Sequence, residues 1–468
     1  MKRYLLVTLA MSLSFATTSF AEAPTEQQIA QIKIEGQTLL AAEFAFKEKD
    51  YKEAFEIYQF LANQGQVIAE YQLGYLYENG FGIDKNPKLA STWFAKAAQE
   101  GLPEALYALA TCYYYGVGVQ QDIAQAVTLY HQAAMKNNPF AQYMLGYLFS
   151  SGYGVSKNAL TASNLYIKAA MLDVPQAQYN LGLQYYTGDG ASKDLGKAFI
   201  WINTAAQEGL MKAQFMVGLL YSTGQGVSVD KAKAQYWYAK AAELGMVEAQ
   251  YNLGVLYYLG QQGNSSDLST AISWFKKAAN QGYLRAQYIL GYLYFNGIGV
   301  PKDQTLAVTC YDKAAKQGFP DAQFALGFIY HNGLAGMPKD DQRALAWFTV
   351  AAQQGSANAQ FMLGIFYQQG AGGISIDPKL AAYWYEKAAI QGMDNAQLML
   401  GSMYFSGRGL AKDTRQAFAW LSLAAMSNNP QIRDSALRLR DWLQRVMSPS
   451  EIKQASMLSQ SYLSKYAS

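Results

Sequence analysis

With 468 residues, 51 % of them aliphatic, aromatic or Cys and only 15 % charged, the chain is too apolar and too weakly charged to be a disordered polymer. A formal charge of +3 without any basic run gives no electrostatic footprint for nucleic acid or an anionic membrane surface. Two Cys and two His leave little material for a disulfide framework or a His-based metal site.

Residues 1–21 read as a signal peptide. Lys2 and Arg3 form a positive n-region, Tyr4 to Phe15 a short apolar stretch, and Ser19-Phe20-Ala21 a small-residue cleavage site, which places cleavage after Ala21. The apolar run is shorter than the roughly 20 residues that span a bilayer, so no integral membrane segment is expected after cleavage. Residues 22–66 are expected to hold a short leader and a divergent capping hairpin, with helices over Ile29 to Phe46 and from Tyr51.

From Val67 to Asn429 the chain repeats. The element Ala-Gln-Tyr-x-Leu-Gly, or a close variant, starts at Ala69, Ala105, Ala141, Ala177, Ala213, Ala249, Ala286, Ala322, Ala359 and Ala396, in steps of 36 or 37 residues. Ten units of that length predict a solenoid with one helical hairpin per unit. In the sixth unit, helix A is predicted over Val247 to Leu259, with Ala249, Leu253, Leu256 and Tyr257 on one buried stripe. Gly254 recurs in nine of the ten units, with Ala110 as the exception. Glycine inside a helix costs about 1 kcal/mol against Ala, and close approach of a neighbouring helix backbone is the expected reason.

Paired turn glycines follow, such as Gly80/Gly82, Gly116/Gly118 and Gly407/Gly409. No strand precedes them and no Gly-Lys-Ser/Thr follows, so they are helix C-caps at positive φ rather than phosphate loops. Three turns, Gly260–Gly263, Gly333–Gly336 and Gly370–Gly373, are one residue longer. Helix B is expected to start at caps such as Asp122, Asp267 and Asp377 and to carry Ala-x-x-Trp-Tyr/Phe. Seven of the eight Trp occupy that one position, which predicts packing rather than a ligand platform. Residues 430–468 break the pattern and read as C-terminal capping helices, over Gln431 to Val446 and from Pro449.

Cys112 and Cys310 stand several repeats apart, too far for a disulfide, at positions that are Leu and Trp elsewhere; both read as buried apolar residues. His131 and His331 occupy unrelated positions, so no metal site and no catalytic triad is built around them, and no cofactor is expected.

The unit A-x-x-x-L-G-x-x-Y…G-x-G-V…A-x-x-W-Y-x-K-A-A-x-x-G resembles the Sel-1-like repeat, a relative of the tetratricopeptide repeat. The resemblance implies an all-α fold, a right-handed α/α superhelical solenoid, and a scaffold or adaptor for other proteins. Secreted bacterial members are associated with the envelope and host contact, so a periplasmic or secreted protein is expected. The disulfide pairs of the cysteine-rich branch are absent, and labels tied to that branch do not carry over.

By the same resemblance helix A lines the inner, concave groove. The aromatic, amide and post-glycine positions of helix A therefore become the candidate peptide-binding residues: Tyr143, Tyr147, Tyr179, Asn180, Leu183, Tyr186, Phe215, Tyr251, Asn252, Tyr258, Tyr288 and Tyr292. Tyr and Phe offer large contact area at low entropic cost, and the two Asn can bond an extended backbone. Packing against the adjacent helix is the competing reading of the same positions. A non-catalytic protein- or peptide-binding scaffold is the expected function. The alternative is a factor that binds peptidoglycan or modulates its turnover, and a hydrolase stands a distant third.

Overall fold

The computed structural model describes residues 38–260 and 267–466; the expected signal peptide, the start of the first helix and the turn beyond Gly260 lie outside them. The described residues are helices and turns, with no strand among them. The chain divides into two compact units, Met1–Ala213 with Gln225–Val227, and Gln214–Gly224 with Ser228–Ser468.

The first unit opens with α1 (38–47) and α2 (Tyr51–Asn63). Hairpins of an A helix and a B helix follow: α3 (Val67–Asn79) with α4 (Pro87–Gln99), α5 (Pro103–Tyr115) with α6 (Ile123–Met135), α7 (Pro139–Ser151) with α8 (Ala159–Met171), and α9 (Pro175–Thr187) with α10 (Leu195–Gln207). The unit boundary falls within α11 (Met211–Thr223).

The second unit continues with α12 (Lys231–Glu243), the partner of α11. Four hairpins come next: α13 (Val247–Leu259) with α14 (Leu268–Asn280), α15 (Leu284–Asn296) with α16 (Gln304–Lys316), α17 (Pro320–Asn332) with α18 (Asp341–Gln353), and α19 (Ala357–Gln369) with α20 (Pro378–Ala389). The last are α21 (Asp394–Ser406) with α22 (Thr414–Ala424), then α23 (Pro430–Val446) and α24 (Pro449–Tyr466). Within each unit the A and B helices of a hairpin pack on each other and on the next hairpin, as α3 does on α4 and α15 on α16, and α24 packs back on α22.

Local chemistry sets the boundaries where the sequence places them. Asp122, Asp267 and Asp377 cap α6, α14 and α20, accepting from the backbone N–H groups of Gln125, Thr270 and Leu380 at 3.0 Å. Such a cap contributes about 1 kcal/mol. Most A helices end on left-handed glycines, for example Gly116 at φ +70° and Gly407 at φ +74°, whereas Gly260 after α13 has ψ 161°. Ser448 and Glu451 form a reciprocal capping box at the start of α24.

The helix-A glycines meet something other than the expected backbone. A Cβ on Gly74, Gly218, Gly254, Gly291 or Gly327 would lie 2.6–2.7 Å from a ring carbon of Phe94, Tyr238, Phe275, Tyr311 or Phe348. The crowding group is thus chiefly a B-helix side chain, the residue after the repeated Trp position, seated flat against a helix with no side chain there. Carbonyls such as Ala90 O, at 3.2 Å from the Gly74 position, are the second contact. The close backbone approach occurs instead at the second turn glycine. A Cβ there would meet a carbonyl of the preceding B helix, Pro87 O at 2.1 Å from Gly118 and Pro378 O at 2.2 Å from Gly409.

The Trp position itself is half-buried in Trp93, Trp201, Trp237, Trp274, Trp347 and Trp384, and fully buried only in Trp420. The ammonium groups of Lys96 and Lys277 sit over Trp93 and Trp274 at 3.8 and 3.7 Å. Cys112 is buried, as expected, with burial pushing its thiol up to about 12; Cys310 is only half-buried, at the outward-leaning Trp position. Leu256 and Tyr257 are half-buried too, whereas the equivalents of Leu256 at Leu148, Leu220 and Leu293 are fully covered.

A further regularity is polar. The Gln that follows the helix-A Ala is buried and donates to the carbonyl of the second of the paired Ala residues that close the preceding B helix. Gln323 reaches Ala315 O at 3.1 Å and Gln360 reaches Ala352 O at 3.1 Å. These carbonyls lie in the last helical turn and also accept from the closing glycine, Gly318 N on Ala315 O and Gly355 N on Ala352 O at 3.0 Å. Its own oxygen accepts from a Gln near the end of its repeat, Gln354 on Gln323 at 2.8 Å and Gln391 on Gln360 at 2.7 Å. Replacing Gln323 by Leu removes both bonds but leaves Ala315 O with Gly318 N and Gln354 Nε2 with Val350 O, and is expected to cost about 1 kcal/mol in urea denaturation. Gln178→Leu is expected to cost less, because the Gln178 amide oxygen already lacks a protein hydrogen bond.

Candidate functional site

The twelve candidate residues separate into packed and open groups. At the helix-A aromatic position, Tyr143, Phe215, Tyr251 and Tyr288 pack on the B-helix rings of Tyr166, Tyr238, Phe275 and Tyr311, with centroids 5.6–6.2 Å apart. Tyr251 and Tyr288 also touch Tyr283 and Phe319 at 5.2 and 5.6 Å. Tyr179 is half-buried, and burial raises its hydroxyl pKa. These five rings close the hairpin interior, where an edge or tilted pair contributes about 0.5–1.5 kcal/mol beyond its buried area.

Asn180 and Asn252 are engaged as well. Asn180 joins Ser150 in hydrogen-bonding the hydroxyl of Tyr166, and Asn252 joins Ser222 on that of Tyr238. Both tyrosines lie on the preceding B helix, so each Asn ties adjacent hairpins together. Burial pushes Tyr166 up to about 12, which keeps its hydroxyl protonated as a donor.

Tyr147 and Tyr292, the residues after the helix-A glycine, are each 42 % exposed, and the equivalent Phe328 is 43 % exposed. Leu183, at the same position, and Tyr258 are half-buried. Tyr147 lies in the first unit; Tyr292 and Phe328 lie on neighbouring A helices of the second. At this position helix A leaves an aromatic side chain open in three repeats.

Tyr186 exposes a pairing that the sequence reading did not contain. Its hydroxyl donates to Gln225, the middle residue of the next Gly-x-Gly turn. Tyr114 meets Tyr153, the middle residue of its own next turn, at 6.0 Å, and Gln368 and Arg408 line one cavity in the same relation. Each such pair joins the twelfth residue of an A helix to the turn of the following repeat. The spacing of 39 or 40 residues is regular, but residue types vary from pair to pair, so identity alone gave no signal.

Reactive groups are sparse and dispersed. Among the described residues no three His, Cys, Asp or Glu side chains gather as a metal-binding group. His131 is exposed, and His331 Nδ1 sits 2.7 Å from Asp341 Oδ1 with its ring on Phe366. Among the same residues no helix is long and apolar enough to cross a membrane.

Stacked hairpins whose A helices carry Gly, or Ala110 once, against a large B-helix side chain define a helical-repeat protein. The chain belongs to the Sel1 repeat family: the family's model matches repeats from residues 35–66 and 67–102 through to 394–429, eleven in all. It counts the leading hairpin, read from the sequence as a cap, as a further repeat.

Among solved structures the chain is similar to a protective antigen present in uropathogenic Escherichia coli strains, at 31 % identity and a TM-score of 0.81, covering 95 % of this chain and 96 % of that one. A Sel1 repeat protein from Oxalobacter formigenes is also 31 % identical, at a TM-score of 0.57, over 68 % of this chain and 90 % of that one. Among curated proteins, 60 residues are 50 % identical to a chitin synthase regulator of Saccharomyces cerevisiae. That match spans 13 % of this chain and 8 % of the yeast protein. Sel1 repeats typically build protein-interaction scaffolds.

Proposed function

We propose that this protein is an exported, non-catalytic scaffold of the bacterial envelope that binds protein or peptide partners on the open face of its A helices. The observation that carries the reading is the row of half-exposed aromatics after the helix-A glycine, with Tyr292 and Phe328 on successive hairpins and Tyr147 in the first unit. The other exposed large apolar residues of these helices, Tyr115, Phe140 and Leu259, stand singly at helix ends. Aromatic side chains left open on a rigid support give a partner large contact area for little ordering cost. The features of residues 1–21, and the likeness to an Escherichia coli protective antigen, support export to the envelope or beyond.

Site-specific photo-crosslinking in intact cells tests the reading. A benzophenone side chain at position 147 or 292 is expected to give discrete adducts, whereas the same group at the exposed B-helix positions 236 and 383 gives none. Adducts of equal yield from all four positions would remove the A-helix assignment. Sedimentation of the purified protein with isolated cell-wall sacculi, with no other protein present, would move the reading to a peptidoglycan-binding factor.

A further inference from the structure

A cavity of about 430 Å3 opens in the second unit between the ninth and tenth A helices, α19 and α21. That volume is within the range of small-ligand clefts, about 300–1,000 Å3. Phe361, Ile365 and Met399 give it an apolar lining, and Ile365 stands at the same post-glycine position as Tyr292 and Phe328. Tyr385 forms part of the wall and donates its hydroxyl to Gln368 Oε1 at 2.6 Å. That bond occupies the amide oxygen of Gln368 and leaves its NH2 group to donate. Gln369 and Arg408 complete the polar side.

The charge balance of this lining is one-sided. It contains a guanidinium and no carboxylate. Asp413, on the same connection between α21 and α22, caps α22 through Gln416 N and meets Arg415 at 3.5 Å. The turn fixes the backbone that carries Arg408, since Gly407 and Gly409 both take left-handed backbone and a Cβ at Gly409 would meet Pro378 O at 2.2 Å. A donor-rich side beside an apolar one fits a group that carries an anion and a hydrocarbon a few ångströms apart. The last residue of a polypeptide has this form, because its carboxylate and its side chain leave the same Cα. An internal Asp or Glu carries only the charge.

We infer that this cavity receives the C-terminal residue of a partner polypeptide, its carboxylate on Arg408 and Gln368 and its apolar side chain on Phe361, Ile365 and Met399. The inference rests on the peptide-binding reading above and assigns it a second, chemically distinct site. Fluorescence polarisation of the full purified protein tests it, with fluorescein-labelled (Gly-Ser)2-Ala-X peptides in which X is Leu, Met or Phe. Free acids are expected to bind, and the matching C-terminal amides to bind at least tenfold more weakly. Arg408→Gln should weaken the acids by roughly tenfold or more, the loss expected for one charge-assisted hydrogen-bonded contact, without changing the melting temperature.

Equal binding of acids and amides, or no binding of any free acid, would overturn the inference. Displacement of the peptide acids by millimolar octanoate with Ile365→Glu-sensitive affinity equal to theirs would also overturn it, in favour of an acyl carboxylate. Crosslinks at positions 147 and 292 without acid selectivity would remove this inference and leave the A-helix reading standing. Acid-selective binding without those crosslinks would do the reverse.

Discussion

Gly327→Ala is expected to destabilise the protein by about 1–3 kcal/mol, the usual cost of overpacking a filled core. Helix propensity argues the other way, favouring Ala by about 1 kcal/mol. The sign is decided by what the new methyl group meets. It would lie 2.6 Å from Phe348 Cε1, and Phe348 is fully buried between Phe324 and Phe366 at 5.7 and 5.5 Å. The ring has no open space to retreat into. Ala110 opposite Tyr130, both fully buried, shows that one hairpin has adjusted to a methyl group, so the cost elsewhere is strain and not exclusion. Adding Phe348→Leu to Gly327→Ala should not recover the loss, since Leu421 Cγ would itself lie 2.8 Å from a Cβ at Gly401 in the tenth repeat. Urea denaturation followed by circular dichroism measures both variants. A neutral or stabilising Gly327→Ala would show that the ring contact does not select the glycine.

Gly118→Ala should cost about 3 kcal/mol or more, and Gly209→Ala only about 1–2 kcal/mol. Both residues have left-handed backbone, at φ +76° and +87°. At Gly209 nothing lies within 4 Å of an added Cβ, so only the intrinsic penalty of that backbone region applies. At Gly118 the Cβ would be 2.1 Å from Pro87 O, and a carbonyl at the start of a helix cannot move without its hairpin. The sequence carries the same distinction. The equivalents of Gly209 include Asn137 and Asp173, at φ +62° and +56°, whereas the second turn position is Gly in seven repeats and Ala335, at φ +58°, stands there in one of the longer turns. Matched thermal unfolding of the two variants separates the effects, and equal losses would refute the inter-repeat contact.

The contrast between these two glycines shows how much of the molecule is legible from its residues. Helix ends, caps and left-handed turns follow from interactions among residues a few positions apart, so Asp122, Asp267, Gly116 and Gly407 act where the sequence places them. The ring partners of the helix-A glycines are not legible in the sequence, because a ring and a backbone leave the same requirement for a small residue. The buried Gln row was invisible for a related reason. A Gln reads as polar surface until its carbonyl partner, eight residues back across a turn, is placed beside it.

The candidate groove was legible only as a set of positions. Tyr251 and Tyr292 are the same residue type on similar helices, yet one packs on Phe275 and Tyr283 while the other is 42 % exposed. Their sequence positions differ only in phase around the helix relative to the B-helix ring. Arg408 drew no notice for the complementary reason: a lone turn arginine has no meaning until Gln368 and the apolar lining are found in the same cavity.

By itself the sequence determined the period, the hairpin in each period, the helix boundaries and the turn geometry, because these depend on local propensity repeated often enough to be unmistakable. The tertiary structure alone decided which small residue faces a ring and which a carbonyl, which tyrosines are sealed and which stay open, and where a cation meets apolar side chains. Those outcomes depend on how one helix is rotated and seated against the next, and residues 30 to 40 positions apart set that seating jointly.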